Sequence, residues 1–314
     1  REALDELSGA FYTDLLALNA NNSDAEIVYE KIGLPDVEDK ENKEWVEVGF
    51  GGISYGANDN GLKDFSVKGA KIYAGGILSK TQSSVNGVYG SYGVNRAEQG
   101  MKKAGFSDVE VGLYKGIYMG EITIKGNFAI GLQSYEVERK MTLAIDETVK
   151  SDFMTYGVKA GGEVQYLIWT TEAALPTDAV VEMKMFGGLH GGFSKNEEIK
   201  ESGDVGLKIE SGYYMRLMAL FGVRADGKIK GILWYGKLFV GGIDLLENAS
   251  YDMTMLGEKM SDIEGTKEKA VYAGLAGGFE YQLGSRTKLT IDTTIKSGAD
   301  MFEYYGGAGV KFSF

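Results

Sequence analysis

The sequence predicts an all-β membrane protein, a twelve-stranded antiparallel transmembrane β-barrel preceded by one α-helix. Three observations carry that prediction. Apolar residues recur at a period of two over most of the chain, short and long connections alternate, and glycine is abundant while proline is nearly absent. Glycine supplies 46 of the 314 residues and proline only 2. Disordered linkers and collagen enrich both, so this composition excludes them. The 19 tyrosines and 14 phenylalanines suit strands that carry aromatic girdles.

The elements follow in order. In residues 1–22, Leu4, Leu7, Phe11, Leu15 and Leu18 fall at intervals of three or four and share one helical face. Asn19, Asn21 and Asn22 break that pattern. Residues 23–43 read as an acidic connector punctuated by Gly33 and Pro35. Over residues 44–314 the period is two. Ile122, Ile124, Phe128, Ile130 and Leu132 alternate with Thr123, Lys125, Asn127 and Ala129; Tyr156, Val158, Val164, Tyr166 and Ile168 alternate with Lys159, Glu163 and Gln165. Leu207, Ile209, Tyr213, Met215, Leu217 and Phe221 repeat this against Lys208, Glu210 and Arg216, as do Leu289, Ile291 and Ile295 against Lys288, Asp292 and Lys296. One apolar and one polar or glycine face is what a strand between lipid and lumen requires.

Twelve segments result: 44–54, 66–79, 84–94, 107–118, 121–138, 152–169, 178–194, 207–224, 228–246, 267–282, 285–297 and 303–314. The third and ninth are the least regular. The ninth puts Lys237 on its expected lipid face, opposite Ile232, Trp234 and Leu238. Long polar joins near 55–65, 95–106, 139–151, 195–206 and 247–266 alternate with short ones, the rhythm of outer loops and periplasmic turns.

The bulk numbers bound the function. No apolar run reaches the roughly 18 residues of a membrane helix, and the mean hydropathy of −0.16 hides alternate lipid-facing residues. A net charge of −12 with no basic stripe argues against nucleic acid as a partner. The absence of cysteine removes disulfides and thiolate metal sites. Arg1-Glu2-Ala3 opens without a signal peptide, so the chain is expected to be a C-terminal piece of an exported precursor.

The chain closes on Gly306-Gly307-Ala308-Gly309-Val310-Lys311-Phe312-Ser313-Phe314. Gly309, Phe312 and Phe314 resemble the C-terminal signal by which the β-barrel assembly machinery recognises outer-membrane barrels; Gly307 departs from it where a polar residue is usual. Ala3-Leu4-Asp5-Glu6-Leu7-Ser8-Gly9 resembles the start of the autotransporter (type V secretion) C-terminal domain, and helix, connector, twelve strands and terminal Phe extend the likeness over the whole chain. The resemblance implies a Gram-negative outer-membrane barrel, a monomer in lipid, with the helix inside its pore. It also implies that the helix ends an N-terminal passenger, which the barrel helps to export and then anchors at the cell surface.

With the helix in the pore, Leu4, Leu7, Phe11, Leu15 and Leu18 are expected to pack on the wall. Its charges would meet Glu47, Lys71, Lys125, Lys159, Glu163, Glu182, Lys184, Lys208, Glu210, Arg216, Glu280 and Asp292 in a solvated lumen. Some relatives release their passengers through asparagine chemistry in the barrel. Asn19, Asn21 and Asn22 are expected at the periplasmic end, badly placed for it.

No enzymatic role, cofactor or metal is expected. His190, the single histidine, sits in a glycine run without a nucleophile motif. Loops 57–64 and 247–262 lack the spaced ligand series of a calcium loop. The competing reading is an outer-membrane porin or small-solute channel, which would keep a wet pore.

Overall fold

The computed structural model describes residues 10–19, 24–31, 43–56, 64–141, 147–171, 180–203, 206–229, 231–248, 253–255, 258–259 and 269–313. Two helices, α1 (Ala10–Asn19) and α2 (Asp24–Lys31), precede the wall. Its strands are β1 (Lys43–Tyr55), β2 (Phe65–Lys80), β3 (Ser84–Gln99), β4 (Lys102–Met119), β5 (Ile122–Met141) and β6 (Glu147–Thr170). They continue as β7 (Val180–Asn196), β8 (Tyr213–Ile229), β9 (Ile232–Asn248), β10 (Lys269–Gly284), β11 (Thr287–Gly298) and β12 (Met301–Ser313). Each pairs antiparallel with its sequence neighbours, and β1 closes on β12 from Lys43↔Ser313 to Tyr55↔Met301. Closure leaves no edge strand in the wall, a requirement for backbone immersed in lipid.

Alternation decides which side chains face lipid. Phe50, Leu113, Ile130, Val158, Leu189, Phe221, Leu238, Val240, Leu275 and Ile295 are exposed around the barrel, Phe50 by 64% and Leu238 by 60%. In water such a belt would drive aggregation; in a bilayer it is the solvated surface. The opposite faces carry the polar residues, glycines and inward aromatic rings. Glycine makes room for those rings: a Cβ at Gly112, Gly87, Gly241 or Gly49 would run into Tyr89, Tyr114, Tyr272 or Tyr305 respectively.

The wall departs from the sequence reading in several places. Residues 95–106, expected as a loop, are the paired ends of β3 and β4, joined by a two-residue turn in which Gly100 has φ 60°. Beyond the lipid a strand needs no apolar face, so its polar sequence imitates a loop. Likewise β5 and β6 stay paired from Ile122↔Tyr166 to Met141↔Glu147. Lys237 faces the lumen, and Leu238 and Val240 face out. The ninth segment misled because Phe239 and Ile243, both apolar, also point inward.

Lys208 and Glu210 are not lumen residues. Leu207–Ile209 belongs to a small four-stranded sheet with Ile199–Lys200, Met253–Met255 and Glu258–Lys259, outside the barrel sheet. There Leu207 and Ile209 are buried and Lys208 lies partly exposed beside Glu198 at 3.0 Å, while Glu210 is exposed. This sheet continues the wall past its rim: the backbone N–H groups of Glu197 and Ser202 donate to the carbonyls of Met154 and Lys150 on β6.

Candidate functional site

Both helices lie in the lumen: α1 touches β2, β3, β5, β6, β7 and β8, and α2 touches β1, β5, β7, β8, β9 and β11. α1 sits at the long-loop rim. Phe11 meets Phe65 edge-on at 6.0 Å between centroids, and Tyr12 packs at 5.9 Å from Phe153. Phe153 heads a stacked row across three strands, with Tyr135 at 4.8 Å and Phe106 a further 4.9 Å on. Gln99 donates to Asp14 at 2.9 Å. Phe11 and Leu15 are buried as the apolar stripe predicts, and Tyr12 and Leu16 are buried too. A helix enclosed by wall has no solvent face, so one stripe understates its contact. Leu4 and Leu7, like the side chain of Leu18, lie outside the described residues.

Tyr12 also belongs to a polar knot at this rim. Its hydroxyl donates to Glu201 at 2.8 Å and bonds Ser151 at 2.7 Å. Arg139, with no exposed surface, grips Glu201 through Nε at 2.9 Å and Nη2 at 2.6 Å, and the Leu207 N–H donates to the same carboxylate at 2.8 Å. A fully buried guanidinium needs such a bidentate partner. Outside this knot, hydrogen bonds first from Lys200 and then from Lys208 hold the exposed Glu198 carboxyl below its ordinary range.

α2 occupies the pore nearer the short-turn rim, where the sequence predicts connector. An apolar stripe and charge hold it together: Ala25, Val28 and Tyr29 are buried in one cluster with Trp45, Tyr73, Val85 and Tyr89, and ion pairs serve the other side. Glu30 meets Arg224 at 2.6 Å and Lys237 at 2.5 Å; Lys31 pairs with Glu47 and lies 2.5 Å from Asp292; Glu26 is 3.0 Å from Lys296. Lys125 donates to the Tyr29 carbonyl at 3.0 Å, at the helix end whose free carbonyls favour a cation. The Tyr29 hydroxyl donates to Asn127 at 3.0 Å. A cavity of about 450 Å³ adjoins this end, lined by Glu30, Lys125, Lys184, Arg224 and Asp226 among others.

The remaining expected lumen charges face inward but are paired rather than solvated. Lys71 meets Asp108 at 2.6 Å, Lys159 meets Glu110 at 2.7 Å, and Lys184 lies 2.8 Å from Glu182 and 3.0 Å from Asp226. Glu163 faces Lys237 at 3.5 Å, Glu280 is shared by Lys288 and Lys311, and Arg216 donates to the Tyr55 hydroxyl at 3.2 Å. Lysines and carboxylates from different strands converge because alternation sends both inward. Asn19 ends α1 inside the barrel, with α2 continuing toward the short-turn rim; Asn21 and Asn22 lie outside the described residues.

His190 is buried with its ring 5.6 Å from that of Tyr29, and its two ring nitrogens have no hydrogen-bond partner among the described residues. On β12, Gly309 faces inward so closely that a Cβ would strike the Val46 carbonyl, and Phe312 faces out; Phe314 is outside the described residues.

The sequence model of the Autotransporter beta-domain matches residues 45–294. The chain belongs to this family. It is therefore an outer-membrane β-barrel of a Gram-negative bacterium, of the translocator type. Among solved structures it resembles the translocator domain of autotransporter NalP from Neisseria meningitidis at 14% identity and TM-score 0.70, covering 95% of this chain and 99% of that one. The transport unit of the autotransporter AIDA-I from Escherichia coli matches at 16% identity and TM-score 0.60, over 94% and 98%. The beta domain of the Bordetella autotransporter BrkA matches at 14% and 0.58, over 88% and 100%. At these identities the likeness speaks for the fold. Comparison with curated protein sequences finds no significant match.

Proposed function

We propose that this autotransporter barrel supports export of an N-terminal passenger, then anchors it while α1 and α2 seal the pore. The observation that carries the reading is the seat of α2, which ion-pairs with β1, β8, β9 and β11 and buries Ala25, Val28 and Tyr29 in one cluster with apolar residues of β1 to β5. Breaking one of these buried pairs leaves an unpaired charge at a cost of about 3–5 kcal/mol, so the helix has one strongly preferred seat. A porin requires a wet lumen, and here two helices occupy it. Among the described residues, His190 lies against the Tyr29 ring and its ring nitrogens have no hydrogen-bond partner, so nothing in the lumen adds a catalytic role to this reading. Gly309 and Phe312 fit recognition by the β-barrel assembly machinery, and a continuous lipid-facing belt fits a monomer.

Two measurements test this. A reporter fused before residue 1 is expected to reach the cell surface and become sensitive to external protease. In planar bilayers, the chain is expected to pass little current and a variant lacking residues 1–31 a large one. Equal, large currents from both would turn the assignment to a porin.

A further inference from the structure

We propose that Lys125, Arg224 and Lys237 form an anion-binding constriction, with the Glu30 carboxylate as its resident ligand, and that it makes the vacated pore select anions, including carboxylate-bearing polypeptide.

The argument begins with charge at close quarters. The three cations come from β5, β8 and β9, and all are buried. Two wall carboxylates face them: Glu163 at 3.5 Å from Lys237, and Asp226 at 2.6 Å from Arg224. Glu30 meets Lys237 and Arg224 at 2.5 and 2.6 Å. Among the described residues, the wall of the adjoining cavity holds seven Lys and Arg against four Asp and Glu, so it stays net positive even though departure of α2 also frees Glu47 and Asp292 from Lys31. When α2 leaves, these cations line the opened, water-filled pore and favour another anion there. Aromatic rings hold the cations without neutralising them: Arg224 lies 4.7 Å from the Tyr235 centroid and Lys237 5.1 Å from that of Phe186. The adjoining cavity of about 450 Å³ gives solutes access to the ring.

The segment that passes this point matches it. Residues 1–42 hold eleven Asp and Glu against three Lys and Arg, so successive carboxylates can take the place of Glu30 as the chain moves. A ring of fixed cations lowers the energy of an anion in the pore and raises that of a cation.

The test uses the full chain with Glu30→Arg, which sets a cation against the ring and is expected to expel α2. In planar bilayers with a potassium chloride gradient, the variant should open, and its reversal potential should shift to the chloride side. Pentaglutamate should block the current, and adding Arg224→Gln and Lys237→Gln should abolish the block. Glu30→Gln, which keeps the side-chain size, covers a failure of the first variant to assemble; its open bursts should be more frequent and show the same preference. A variant that stays closed, or opens without anion preference, overturns the inference. The inference rests on the helices being the plug. A large current from the unaltered chain would overturn that reading instead, and the anion preference is then read directly on it.

Discussion

Tyr12 and Glu201 tie a pore helix to an outer loop, and the strength of that tie can be worked from its geometry. Glu201 accepts four hydrogen bonds, two from Arg139 and one each from Tyr12 and the Leu207 N–H. Glu201→Gln removes the carboxylate charge that faces the buried Arg139 guanidinium in two hydrogen bonds, at a cost of about 3–5 kcal/mol. Tyr12→Phe removes the hydrogen bond to the charged Glu201, roughly 1.5–3 kcal/mol, and with it the one shared with Ser151. At about 1.4 kcal/mol per factor of ten, opening of α1 becomes about tenfold or more commoner with Tyr12→Phe, and at least a hundredfold commoner with Glu201→Gln. Because the chain has no cysteine, Leu15→Cys supplies a single buried thiol whose labelling rate reports opening. The two effects should be strongly non-additive, since both substitutions act on one carboxylate. Unchanged labelling with Tyr12→Phe, or simple additivity, would refute the reasoning.

Three further outcomes are expected. Leu113→Arg, in the lipid-facing belt, should destabilise the folded barrel by up to about 2–4 kcal/mol in urea titrations from vesicles. Gly112→Val should slow barrel assembly by displacing the Tyr89 ring, and Tyr89→Ala in the same chain should restore it, as read by heat-modifiable migration in gels. The bridges from Glu198 to Lys200 and Lys208 should survive at pH 5. A carboxyl held low contributes stability above its unfolded value of about 4.3, and that contribution disappears as pH falls through the lower folded value. Carboxyl NMR of Glu198 checks this, and titration at or above the ordinary value would contradict it.

The barrel was legible because lipid on one side and lumen on the other impose a strict period of two. β5 and β6 show this in nearly every residue. Legibility failed where that constraint ends. Past the membrane, residues 95–106 are paired strand whose outward face carries Arg96, Glu98 and Lys103, so they read as loop. In β9, inward Phe239 and Ile243 blur the distinction between faces. Leu207 and Ile209 alternate like wall residues but serve a separate sheet.

The candidate site was legible in part. Phe11 and Leu15 follow from helical spacing, and the lumen charges follow from alternation. α2 was hidden because Asp24–Lys31 is only eight residues long and mixes four charges with its apolar residues, so the stripe of Ala25, Val28 and Tyr29 is too short to stand out. A local signal existed: Ser23-Asp24-Ala25-Glu26 has the order of a capping box, with Gly33 and Pro35 as stop signals. Arg139 and Glu201 had none, because 62 positions separate them and only the fold unites them.

Twelve is even, and the consequence concerns parity. A closed wall of twelve antiparallel strands begins and ends at the same rim, so Lys43 and Ser313 are paired neighbours. The two helices add one more passage of the chain through the same membrane thickness, which makes the total odd. An odd number of passages puts Ala10 and Ser313 on opposite sides of the bilayer. One molecule thus presents Ala10 and Ser313 to two compartments, and it does so without a described helix long and apolar enough to cross a membrane, because the thirteenth passage is lined by the other twelve and never meets lipid.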